Sequence, residues 1–79
     1  MNLELGEEIT LNNKDKYIVM GVTTYADKRY VFLMNNDNDL VIKIGEEVIE
    51  NDKIFVKIVK NKKLIKEIIE QVAGEKISD

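Results

Sequence analysis

The sequence predicts an α+β domain, an antiparallel sheet of four to five strands in meander order with one C-terminal helix packed on it. Three observations carry this. Short β-branched and aromatic runs, "YIVMGV", "RYVFLM", "LVIKI" and "KIFVKIVK", recur along the chain with polar turns between them. The apolar period then changes from two to helical spacing after Asn61. Finally, at 79 residues there is one domain and room for one core.

The first strand is expected over 8–11, ending in the polar "NNKD" of 12–15. The second covers 16–23, and Gly21 inside it marks a bulge or a close backbone approach. "TYADK" connects it to the third, 29–34, where Tyr30, Phe32 and Met34 share one face and Val31 and Leu33 the other. A strand apolar on both faces belongs in the middle of a covered sheet. The fourth, 40–49, alternates Leu40, Ile42 and Ile44 against Lys43, and an Asn51-Asp52 turn leads into the fifth, 53–60. There Ile54, Val56 and Ile58 oppose Lys53, Phe55, Lys57 and Val59. A helix over 62–73 follows, capped by Asn61, with Leu64, Ile65, Ile68, Ile69, Val72 and Ala73 as its apolar stripe and Gly74 at a left-handed end, leaving 75–79 as a loose tail. A helix of about three turns is marginal alone, so the stripe must lie on the sheet. The alternative architecture is a small β-barrel with the same helix as a plug.

Composition removes whole classes of chemistry. The chain has neither cysteine nor histidine, so disulfides, thiolate metal sites and the commonest general base are gone. Its four glycines are scattered and build no phosphate loop. Glu46 and Glu47, adjacent on a strand, point to opposite faces and cannot act as one carboxylate dyad. No catalytic residue, metal site or cofactor is expected, and the protein reads as a non-enzyme. The acidic "MNLELGEEITL" is no signal peptide, and the apolar runs are far shorter than the roughly 20 residues of a membrane span, so a soluble cytoplasmic protein is expected.

Two motifs invite a binding site. In "NNDNDL" the oxygens of Asn35, Asp37 and Asp39, with Glu46 at the twelfth position, form part of a calcium-loop pattern. The sixth position is Leu40 instead of glycine, and strands replace the flanking helices, so the segment reads as a hairpin turn. From Lys53 to Lys66 the chain carries six lysines and no acid; Lys60, Lys62 and Lys63 crowd the start of the helix, and with Lys57 and Lys66 they form a candidate anion site. Ammonium groups and helix dipole there favour an anion, a phosphate or a nucleic acid. The acids Glu46, Glu47, Glu50 and Asp52 are positioned to neutralise the same lysines. Nucleic acid is disfavoured by a net charge of −3 and by a single arginine, Arg29.

The stretch "DKYIVMGVTTYADKRYVFLMNNDNDLVIKI", with its Tyr17–Val19 strand, Tyr25 near the turn and Tyr30–Leu33 strand, resembles small uncharacterised proteins (domain-of-unknown-function type) of low-GC Gram-positive bacteria and their phages. A composition rich in Ile, Lys and Asn is in keeping with such AT-rich coding. The resemblance implies a small accessory protein of a phage or mobile element, of the kind that inhibits a host protein, for example a defence nuclease, by docking on it. The leading expectation is therefore a protein-interaction module whose acidic face, Glu46, Glu47, Glu50 and Asp52, meets a partner with Tyr25 and Phe55 as apolar anchors. Anion or nucleic-acid binding through the lysines and a homodimeric structural role stand as alternatives.

Overall fold

In the computed structural model, described for residues 2–11, 14–38 and 40–77, five antiparallel strands form one sheet in sequence order, followed by a C-terminal helix. The strands are β1 (Glu8–Thr10), β2 (Lys16–Tyr25), β3 (Lys28–Asn35), β4 (Ile42–Glu50) and β5 (Lys53–Ile58); the helix α1 spans Lys62–Ile77. The sheet curls into a half-barrel, so the meander and the barrel anticipated from the sequence are two descriptions of one shape. No described helix is long and apolar enough to cross a membrane.

Two-residue turns fix the register of two hairpins. Ala26 and Asp27 between β2 and β3, and Asn51 and Asp52 between β4 and β5, all have positive φ. This is the turn geometry whose twist matches paired strands. Asn and Asp adopt it readily, whereas Ala does so only at a steric cost of about 1 kcal/mol.

Register shifts between Val19 and Gly21, placing the expected bulge there. The shift lets Val22 join Tyr17 and Val19 on one face, while Thr23 passes to the other. A Cβ on Gly21 would sit 3.2 Å from the Phe32 ring, so the ring packs close to the bulged backbone.

Both faces are covered. On the first, Tyr17, Val19, Val31 and Leu33 cluster with Leu3 of the N-terminal arm and with Ile54, Val56 and Ile58 of β5. Gly45 lies among them, where a Cβ would collide with Cγ1 of Val56. On the second face Tyr30 and Ile44 pack with Ile68 of α1, flanked by Phe32, Val59, Leu64 and Ile65. The best-patterned strand face, that of β5, thus packs on the arm side, where it stays partly buried, and the helix takes the other side.

The helix begins as expected. Asn61 Oδ1 accepts from the amides of Lys63 and Leu64 at 2.9 and 3.1 Å. It ends later than expected, running past Gly74 to Ile77, and Gly74 keeps a negative φ. The apolar stripe is also narrower: Ile69 is half exposed and Ala73 exposed. In its place Gln71 reaches the sheet, its amide donating to Thr23 Oγ1 at 3.1 Å and to the Thr24 carbonyl.

Candidate functional site

Strand β3 pairs with β4 only as far as Glu46. Beyond that point β4 and β5 continue as a two-stranded ribbon closed by Asn51-Asp52. Alternation on this ribbon places Glu46, Val48, Glu50, Lys53, Phe55 and Lys57 on the helix side, and Glu47, Ile49, Ile54 and Val56 on the arm side. Phe55 is 48% exposed and Ile49 51% exposed, so each side of the ribbon presents a large apolar side chain to solvent.

The acids expected to act together are divided by the sheet. Glu47 is an internal group, with a side chain 2% exposed. Its Oε2 accepts from Arg29 Nε at 3.0 Å and from the Leu3 amide at 3.1 Å, while Arg29 Nη2 donates to the Leu3 carbonyl at 2.7 Å. One carboxylate and one guanidinium thereby hold both polar groups of a single arm residue, directly above the core position of Leu3. Nothing in the local sequence marks this pair, since Arg29 and Glu47 meet only once β3 and β4 are registered. Glu46 lies on the other side, half-buried, with Lys28 Nζ 3.9 Å away. Glu50 and Asp52 are exposed at the ribbon's end.

Tyr25 packs against the cluster beneath the helix. Burial raises its hydroxyl pKa above the ordinary value, and the neighbouring Glu67 carboxylate, as charge and hydrogen-bond partner, raises it further. That ring is therefore engaged within the fold. Of the residues expected at a partner, Glu46, Glu50, Asp52 and Phe55 remain together on one outer surface.

Lys57, Lys60, Lys62, Lys63 and Lys66 are all exposed. Lys57 is directly cross-strand from Glu46 and Lys53 from Glu50, pairings that temper the basic run. At the helix start, Asn61 already occupies two of the amides that an anion would use. In the other motif, Asn35 Oδ1 accepts from the Asp37 and Asn38 amides at 2.8 and 3.0 Å, and Asn38 Oδ1 from Leu40 at 3.1 Å. These oxygens build the turn. Asp39 lies outside the described residues, and among those described no cluster of carboxylates could hold a metal ion.

The chain matches no family model, no curated protein and no solved structure.

Proposed function

We propose that the protein acts by docking on another protein, with the β4–β5 ribbon as its contact surface. One observation carries this reading: a projecting ribbon exposes Phe55 on one side and Ile49 on the other. Each side chain is already about half buried, so covering the rest against a partner contributes roughly half of the 1.5–3 kcal/mol of full burial, about 1 kcal/mol apiece. Glu46, Glu50 and Asp52 form the acidic rim and select a basic counter-surface, speeding encounter more than tightening the complex. Inhibition of a host protein by such docking is the biological role in keeping with this design. Glu47 has no part in the contact, because the arm uses it.

Pull-down from host lysate with the tagged protein, with and without nuclease, tests this against paired variants. Phe55→Ser with Ile49→Ser should remove the captured protein, and Glu50→Lys with Asp52→Lys should weaken it. Retention by both variants overturns the ribbon as the contact. Enrichment that vanishes with nuclease, and weakens steeply with salt, transfers the function to Lys57, Lys60, Lys62, Lys63 and Lys66.

A further inference from the structure

Resting on that docking reading, we infer how the partner pairs: the outer edge of β5 receives an extended strand, apolar on its inward side and acidic on its outward side. β5 is an edge strand of an open sheet. The two-residue turn makes Glu50 and Lys53 the closing hydrogen-bonded pair, and the Val59 amide bond to the Ile44 carbonyl, 2.8 Å, continues the same parity. Lys53, Phe55 and Lys57 therefore spend their backbone groups on β4. The amides and carbonyls of Ile54, Val56 and Ile58 point away from it, toward the open edge.

The side chains of those same residues face the arm side of the sheet. Where the half-barrel fails to close, a groove of about 190 Å³ lies between β1 and β5, walled by Leu3, Ile9 and Leu11 on one side and Ile54 and Val56 on the other. A strand bonded antiparallel to Ile54, Val56 and Ile58 would direct every second side chain into this groove. Its remaining side chains would stand on the outer surface beside Lys53, Phe55 and Lys57.

Charge decides which strand fits. Lys53 and Lys57 are exposed, and among the described residues neither takes part in an ion pair. A second copy pairing edge to edge about Phe55 would set Lys53 against Lys57 of its neighbour, a repulsion typical of guarded edges. An acidic strand meets the same lysines with attraction. The opposite wall offers a poorer template: β1 has three residues, and its outward Glu8 accepts from Asn36 Nδ2 at 3.3 Å. The occupant is thus an acidic, alternately apolar segment of a partner protein, its acids meeting Lys53 and Lys57 at the β5 edge while the basic surface around that segment meets Glu50 and Asp52 at the ribbon's end.

The test uses the whole protein and an N-terminally fluorescein-labelled peptide, Thr-Val-Glu-Val-Tyr-Val-Glu-amide. Run antiparallel, it sets its valines opposite Ile54, Val56 and Ile58 and its Glu residues beside Lys53 and Lys57. Binding is followed by anisotropy at low salt and by amide shifts of those three isoleucine and valine residues. Two charge pairs changing from attraction to repulsion predict about tenfold weaker binding when the peptide's Glu residues become Lys. The double variant Lys53→Glu, Lys57→Glu should reverse that preference. N-methylation of the peptide valines, which removes the inter-strand donors, should abolish binding. The inference is overturned by equal affinity for both peptides, by tolerance of N-methylation, or by no binding up to about 1 mM. Its failure is separable from that of the docking reading. A captured partner that survives Lys53→Glu with Lys57→Glu, yet is lost with Phe55→Ser and Ile49→Ser, leaves the ribbon as the contact and rejects strand pairing.

Discussion

Under α1 the sheet is closed by hydrocarbon, with Ile68 fully buried against Tyr30 and Ile44 and the Gln71 amide fastened to Thr23 nearby. On the opposite face a short arm does the same work with a different bond: Leu3 joins Val31 and Leu33, but its backbone is held there by Arg29 and Glu47. A helix satisfies its own amides and brings only side chains to the sheet. The extended backbone at Leu3 has no helical partner, so its amide and carbonyl are met by the surface it covers. The difference explains why a largely buried ion pair occurs on one side, where the arm lines the β1–β5 seam with Leu3 without filling it.

The helix side should respond globally and the arm side locally. Ile68→Ala removes a fully buried side chain and is expected to cost about 3 kcal/mol, most of the roughly 3–5 kcal/mol that a core this small supplies. Urea denaturation would show the midpoint falling with an unchanged slope, and every protected amide would exchange faster. Arg29→Ala takes the guanidinium away from the nearly buried Glu47 carboxylate, which keeps the Leu3 amide at 3.1 Å, at a cost of roughly 2–3 kcal/mol, discounted because Arg29 is partly exposed. Here the Leu3 amide should lose its protection from exchange before the amides of β3 do. Pairing Arg29→Met with Glu47→Leu should recover only part of the loss, since no charge is left unpaired but the Leu3 amide and carbonyl lose their partners. Equal loss of protection in the arm and in β3 would show that the clamp supports the whole sheet, and the contrast between the faces would fall.

The elements legible in the sequence were those set by local chemistry. The β-branched and aromatic run at 29–34 and the alternation in 53–60 located β3 and β5, Gly21 marked the bulge, Asn61 the helix cap, and Asn35 the turn, each through a preference that acts within a few residues. Pairings between distant segments were not legible. Glu47 read as one of four surface acids because nothing near it in the chain announces Arg29 or the Leu3 backbone. The Ala26-Asp27 turn carries the backbone of an Asn-Gly type turn without its residues, the register of the flanking strands prevailing over alanine's preference. Gly74 had the residue type of a cap, but the helix continues through it with a negative φ. The docking surface was half legible: Phe55 showed as an odd apolar residue on a strand of lysines, whereas Ile49, exposed because the ribbon outruns β3, depends on strand lengths that only the assembled sheet sets.

The smallest expected effect separates the faces by pH. Tyr30 lies beneath the helix, and burial, followed by the Glu46 carboxylate, raises its hydroxyl above the ordinary pKa of about 10. The protonated phenol is thus favoured in the folded state. Its contribution to stability is complete below the unfolded pKa and is lost as pH climbs from about 10 through the higher folded value. Tyr25, raised in the same direction, adds to the fall. Melting temperatures measured from pH 8 to 11 should decline more steeply in the parent protein than in Tyr30→Phe above about pH 10, and run parallel below it. Parallel curves over the whole range would mean that the phenolate finds enough water under the helix to ionise freely, and that the helix side is wetter than its apolar closure implies.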